Sequence, residues 1–403
     1  MRWVPGGVTA ASGFLASGVS AGIKRGRTLD LALVMSATPA RAAATFTTNV
    51  VKAAPVLISQ ARIRRGTARA VLLNSGCANC LTGARGVQDA RRLSRRVARE
   101  LRLTEPQVLI ASTGLIGSRL PVGKIELAIP ALVHRLAKAN HRQAARAILT
   151  TDTVPKETAV AERIAGTTIH LGGMAKGVGM IAPHMATMLC VLTTDAALEA
   201  SWAASLLRAS VERSFNRVTV DGDMSTNDSV FLLANGRAGL RIRRGTPQAR
   251  QFHAMLDAVT QRLAGLLAKD GEGASTVVRI EVSGARSAPE AQRCARRIAS
   301  SLLVKTMLAG GDPNMGRVAA AARASGARFD PSRLEIGIRG VGAVVRNGGM
   351  VAFDVARARR GLQSSAASCP VITVDLHAGN ASAWMTTCDL TEEYVRINAH
   401  YST

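Results

Sequence analysis

Apolar residues recur along the chain in two rhythms. Short β-branched runs bounded by turn residues predict strands over 68–74, 107–111, 276–283, 341–346 and 371–376. Spacing of three and four predicts helices. Leu207, Val211 and Phe215 mark one, Phe252, Met255, Val259 and Leu263 a second, and Ala291, Ala295, Ile298 and Leu302 a third. A further helical pattern sets Leu93, Val97 and Leu101 on one face, with Arg91, Arg92, Arg95, Arg96, Arg99 and Arg102 away from it. That charge cluster reads as a solvated helix face. Strands and helices alternate without a low-complexity linker or an internal repeat.

The length of 403 residues allows two or three domains, or two layered lobes sharing one core. With 47% hydrophobic residues, the chain as a whole is not disordered. No stretch approaches the ~18–20 apolar residues that a membrane span needs. The first 27 residues are broken by glycine and lack the apolar core of a signal peptide. Lys and Arg number 52 against 27 acidic residues, a net charge of +25 that invites a nucleic-acid reading. Against it, stacking aromatics are scarce (3 Trp, 2 Tyr, 7 Phe) and no zinc-finger or RNA-recognition signature occurs. Attraction of anionic small molecules is compatible with the same charge. The six cysteines are scattered, and Cys77-Ala-Asn-Cys80 has no second ligand pair at a zinc-like spacing. Two reduced thiols in a turn, no metal and a cytoplasmic location are expected.

Glycine and small polar residues gather at the ends of these patterns. They do so at Asn74-Ser-Gly-Cys-Ala-Asn79, Ala111-Ser-Thr-Gly114, 172–183, Val220-Asp-Gly-Asp223, Asp270-Gly-Glu-Gly273 and Gly310-Gly-Asp-Pro-Asn314. Such loops expose backbone N–H groups and admit close approach to the main chain. Six of them suit a composite active site.

One of them leads, through Lys176-Gly-Val-Gly-Met180-Ile-Ala-Pro183-His184-Met185-Ala186, to Thr187 and an apolar run. Inside a chain, a threonine hydroxyl has no built-in base. At a chain start its own α-amine, with a pKa of ~7.7–8, can take the hydroxyl proton at neutral pH. Making that start requires the hydroxyl to attack the preceding carbonyl, an N-to-O acyl shift followed by hydrolysis. A small residue before the threonine and a Gly/Pro approach favour the attack. By spacing alone, a buried strand preceded by a loop accounts for the same residues.

The run Met180-Ile-Ala-Pro-His-Met-Ala-Thr-Met-Leu189, followed by Thr193-Thr-Asp-Ala196, closely resembles the self-cleavage segment of the ornithine acetyltransferase family, the arginine-biosynthetic glutamate N-acetyltransferases. The likeness extends nearly end to end. It takes in Ala21-Gly-Ile-Lys24, Phe46-Thr-Thr-Asn49, Ser112-Thr-Gly114, Thr150-Thr-Asp-Thr153, Val220-Asp-Gly-Asp223, Ser225-Thr-Asn-Asp228, Asp270-Gly-Glu-Gly-Ala274, Asp312-Pro-Asn314 and Ile397-Asn398.

The resemblance implies an α+β fold, a layered αββα sandwich of the DmpA/ornithine-acetyltransferase type, resembling the N-terminal-nucleophile hydrolases but distinct in connectivity. It implies a cut between Ala186 and Thr187, giving an α piece (1–186) and a β piece (187–403) that stay together, in an α2β2 heterotetramer. Thr187 would be the nucleophile, and Thr113 with Gly114 the oxyanion hole. Thr150, Lys176, Thr187, Glu272, Asn398 and Thr403 would line the substrate site. The substrates would be N2-acetylornithine and glutamate, in a ping-pong exchange through an acetyl-Thr187 ester. No cofactor, nucleic acid or membrane is implied. Whether acetyl-CoA is a second donor stays open, as does the role of Glu272, which could hold the ornithine ammonium or orient the Thr187 amine. A self-processing aminopeptidase or amidase is the alternative chemistry. Departures from the family pattern include His184 in place of Asn, Met315 in place of Trp, and Ser275-Thr276 where Thr-Lys is common. His184 is either a tolerated substitution or a proton relay.

Overall fold

The strand that organises the molecule, Leu31–Phe46, is one that the apolar rhythm does not announce. Its sequence is rich in alanine and poor in β-branched residues, so tertiary pairing rather than propensity decides its conformation. The computed structural model describes residues 1–182, 188–363 and 369–400. In it, this strand is irregular between Met35 and Ala40. The first half pairs with Phe14–Val19 and the second with Ser229–Ala234, while Thr67–Asn74 runs along the other edge. A nine-stranded sheet thereby divides into two leaves. One leaf holds Phe14–Val19, the first half of the long strand, Thr67–Asn74 and Val108–Ser112. The other continues from the second half through Ser229–Ala234, Leu189–Thr194, Thr167–Lys176, Lys156–Ile164 and Arg2–Trp3.

The period-two alternation of each strand sorts its side chains between two environments. Phe14, Val34, Val71 and Leu109 of the first leaf share an interior with Met174, Leu189, Val191, Phe231 and Leu233 of the second. Outside the first leaf, Leu31, Leu72 and Ile110 meet Leu93 and Val97 of helix Gly83–Glu100 and Ile125, Ile129 and Leu132 of helix Val122–His134. Outside the second, Leu171, Leu192 and Leu232 meet Leu206 and Leu207 of helix Ala200–Glu212, and Phe252, Val259 and Leu263 of helix Pro247–Lys269. The layers run helix, leaf, leaf, helix, the expected αββα sandwich. Beside it stands a seven-stranded sheet centred on Val277–Ala285, Val371–Asp375 and Ala381–Cys388. Helices Ala288–Ala299, Leu302–Ala309 and Met315–Arg323 cover one of its faces through Ile298, Met307, Met315 and Val318.

The five strands expected from β-branched runs all form, with ends shifted by a residue or two. Two helical expectations need correction. The pattern through Leu302 is broken, because the helix stops at Ala299 and Leu302 opens the next one, 65% exposed, after Ser300 and Ser301. Likewise Phe215 lies beyond helix Ala200–Glu212, in a short 3-10 turn, although it is buried as its apolar character demands. The arginine-rich helix is solvated as expected, with Arg92 on Glu126 at 2.6 Å and Arg96 on Glu100 at 2.6 Å. Arg102 falls past its end, at a positive φ of 55°. Cys77 and Cys80 are both buried free thiols. Among the described residues no helix is long and apolar enough to cross a membrane.

Candidate active site

Sheet register gathers the site at one end of the sandwich. Lys176, the last residue of its strand, is the partner of Leu189, and Leu189 is the partner of Ser229. Asn227, two residues before Ser229, donates from Nδ2 to the Ala78 carbonyl at 2.7 Å and the Ser112 carbonyl at 2.8 Å. That amide ties the end of the first leaf to the loop of the second. Thr113 and Gly114 follow directly.

Gly114 cannot be replaced without movement. Its φ is +129°, and a Cβ there would lie 2.3 Å from the Gly76 carbonyl carbon and 2.5 Å from the Cys77 nitrogen. Only glycine combines that dihedral with that approach. Thr113 is buried, its N–H bonded to the Asn74 carbonyl at 3.0 Å and its hydroxyl 3.3 Å from Lys176 Nζ.

Lys176 is 2% exposed. Its ammonium donates to the Thr150 hydroxyl at 2.8 Å and lies 3.6 Å from the Asp152 carboxylate. Burial pulls its pKa down, and the Asp152 charge opposes that pull. The Asp152 side chain is fully buried and accepts from Lys156 Nζ at 2.7 Å and from Gly177 N–H at 2.8 Å. Burial alone would raise the Asp152 pKa, but the Lys176 and Lys156 charges and these hydrogen bonds bring it to about 2. Lys156 also pairs with Asp270 at 2.5 Å. Two residues on, Glu272 Oε1 accepts from the Thr151 hydroxyl at 2.6 Å, and Oε2 from Asn398 Nδ2 at 2.8 Å. Gly179 packs so tightly on that carboxylate that a Cβ would come within 2.4 Å of Oε2.

The structure thus brings together Thr113, Gly114, Thr150, Lys176, Glu272 and Asn398. Ala186, Thr187, His184 and Thr403 lie outside the described residues. The residue after Thr187 is described: Met188 N–H donates to Asp228 Oδ1 at 2.8 Å. Sequence reasoning singled out none of Thr151, Asp152, Lys156, Asp270 and Asp228 by role. Asp152 and Lys156 stand four apart with opposite charge, an ordinary surface pattern, and only burial distinguishes them. Lys24 joins the group, donating to the Leu149 carbonyl at 3.1 Å with its pKa lowered chiefly by burial.

Chemically, the site offers a hydroxyl and a glycine N–H beside a buried cation. Across from them stands an acid held by a threonine and an asparagine. One end can meet a carboxylate or a developing oxyanion, the other an ammonium.

A family model described as the ArgJ family matches residues 15–403. The Arginine biosynthesis bifunctional protein ArgJ of Symbiobacterium thermophilum is 45% identical over 406 residues, covering 100% of both chains. The protein of that name from Geobacter sulfurreducens is 46% identical over 392 residues, covering 97% of this chain and 99% of its own. Among solved structures, ornithine acetyltransferase of Mycobacterium tuberculosis, complexed with ornithine, is 44% identical at a TM-score of 0.43. The alignment covers 47% of this chain and 99% of that one.

Proposed function

We propose, from the premise that this chain belongs to the ArgJ family, that it is a self-processing acyltransferase of arginine biosynthesis that moves acetyl from N2-acetylornithine to glutamate. The observation that carries the reading is the meeting of Thr113, Gly114 and Lys176 at the start of the strand that Met188 leads into.

Processing comes first. Thr187 Oγ bonds to the Ala186 carbonyl carbon while the Ala186–Thr187 C–N bond breaks, and the hydroxyl proton passes to the leaving amine. Water then hydrolyses the ester, freeing the Ala186 carboxylate and restoring the hydroxyl. The α piece is 1–186 and the β piece 187–403. In turnover the new α-amine takes the hydroxyl proton as Oγ attacks the acetyl carbonyl. Thr113 Oγ and Gly114 N–H meet the oxyanion, each such donor worth about 3–4 kcal/mol in the transition state. Ornithine departs with the proton, and the α-amine of glutamate attacks the ester to leave as N-acetylglutamate. Lys176 and Thr150 suit the substrate carboxylate, while Glu272, held by Thr151 and Asn398, suits an ammonium. Thr403 completes the substrate contacts in this reading, and the pieces assemble as α2β2.

Mass analysis of the purified protein tests it. Two fragments meeting at Ala186/Thr187 are expected, and Thr187→Ala yields one intact, inactive chain. A fully active uncut chain would overturn the mechanism. Competing acetylornithine against acetyl-CoA as donor for glutamate decides whether the enzyme uses one donor or two.

A further inference from the structure

The loop between Thr219 and Ser229 does more than connect two strands. Asp221, half-buried, turns both carboxylate oxygens to the chain just upstream of the cleavage segment, while also accepting from Asp223 N–H at 3.1 Å and the Tyr394 hydroxyl at 3.3 Å. Oδ2 accepts from Met180 N–H at 2.6 Å, and Oδ1 from Ile181 N–H at 2.9 Å. The same strand end holds Ile181 from the other side, because Val220 N–H and the Thr219 hydroxyl donate to its carbonyl at 2.8 and 3.0 Å. Met180 sits at a φ of +50°, a left-handed conformation that costs an L-residue about 1–2 kcal/mol. Something must hold it there, and the Asp221 carboxylate grips its N–H.

Seven residues further along the same loop, Asp228 treats the downstream end in the same way. Its side chain is sealed from solvent, with Oδ1 on Met188 N–H and Oδ2 without a hydrogen-bond partner among the described residues. Ser229 N–H fixes the Met188 carbonyl at 3.1 Å. A buried carboxyl with an unused oxygen is costly to keep. Burial pushes its pKa well above the ordinary range, against the opposing Met188 N–H, Lys176 charge and Ser225 side chain.

We propose that Asp221 and Asp228 are positioning residues for chain cleavage, one loop fixing both flanks of residues 182–187 and holding Met180 in its strained conformation. This rests on the self-processing reading above. A chain whose flanks are fixed loses less freedom on reaching the attack geometry, so the acyl shift gains rate without a new catalytic group. The clamp serves maturation. Once the chain is cut, the Asp221 carboxylate holds the tail of the first piece and keeps the Tyr394 hydroxyl at 3.3 Å, and turnover no longer needs Met180 fixed for attack.

The full chain, synthesised in a cell-free system and sampled into denaturant over time, gives the maturation rate directly. Asp221→Asn and Asp228→Asn are each expected to slow the appearance of the fragment beginning at Thr187 by about tenfold or more, since each amide replaces a carboxyl oxygen with an NH2 donor. Asp223→Asn, an exposed carboxylate of the same loop, leaves the rate unchanged. Matured Asp221→Asn protein turns over acetylornithine within about twofold of wild type. Adding Met180→Gly to Asp221→Asn restores maturation, because glycine adopts positive φ unaided. A merely structural role for Asp221 would give no such rescue. Both carboxylate variants maturing at the wild-type rate, or a failed glycine rescue, would overturn the clamp. Asp228→Asn tests the downstream flank separately, so a misfolded Asp221 variant gives the proposal no shelter. A wild-type chain that stays uncut while transferring acetyl refutes the underlying reading instead.

Discussion

Replacing Gly114 with alanine adds one methyl group and should nearly abolish acetyl transfer. The added Cβ would stand 2.3 Å from the Gly76 carbonyl carbon, 2.5 Å from the Cys77 nitrogen and 2.7 Å from the Gly76 Cα. All three are main-chain atoms, so no side chain can swing aside. Ordinary contact begins near 3.4 Å, and the two backbones must therefore part by about 1 Å, a displacement that costs ~10²-fold in rate at a reacting centre. The φ of +129° adds strain of about 1–3 kcal/mol, since an L-residue rarely adopts it. The displaced group is the proposed oxyanion donor, so the loss belongs in kcat rather than KM. Steady-state transfer from acetylornithine to glutamate should show kcat lowered by ~10²–10³-fold with KM within about threefold. Thermal unfolding run beside it separates this from global collapse. A stable Gly114→Ala protein with kcat within threefold of wild type refutes the assignment of this N–H to the oxyanion.

Two further perturbations probe the charge network and the substrate pocket. The Asp152 carboxyl falls from its ordinary 3.8 to about 2 in the fold, which corresponds to about 2 kcal/mol of stabilisation. Because the folded value is the lower one, that stability is complete above pH ~4 and drains away as pH falls toward 2. Urea unfolding of wild type should weaken across that window more steeply than that of Asp152→Asn, and parallel profiles would count against the network. At neutral pH the variant should lose about 3–5 kcal/mol, because Lys156 and Lys176 stay buried with one counter-charge fewer. Asn398→Ala frees Glu272 Oε2 and should raise KM by about tenfold while kcat holds within about threefold. A change confined to kcat would instead assign Asn398 to the chemical step.

What the sequence disclosed depended on whether a signal was local. Val277–Ala285 and Val371–Asp375 are β-branched and were legible at once. The alanine-rich strand Leu31–Phe46 and the hairpin of Lys156–Ile164 with Thr167–Lys176 were not, since their strand character comes from neighbours distant in sequence. The boundary at Ala299 was hidden because Leu302 keeps the apolar spacing, while Ser300 and Ser301 break the chain without glycine or proline. In the site, Thr113, Gly114, Lys176, Glu272 and Asn398 are named through family motifs, and the fold brings them to one end of the sandwich. The resemblance carried over Thr150 alone from Thr150-Thr-Asp-Thr153, yet the structure uses neighbouring residues differently: Thr150 serves Lys176, Thr151 serves Glu272 and Asp152 serves both lysines. No one-dimensional pattern separates three adjacent polar residues that turn toward different partners.

The strand Leu189–Thr194 is hydrogen-bonded on one side to Thr167–Lys176. On its other side is Ser229–Ala234, which pairs in turn with Leu31–Phe46. Scission after residue 186 would leave two polypeptides plaited within one sheet, the later one wedged between ribbons of the earlier. Such halves have no flat faces along which to part, and parting them would mean unzipping ladders on both flanks. Assembly would then have to be finished before any such cut. The molecule would be born as one chain and live as two that cannot be exchanged with a neighbour's.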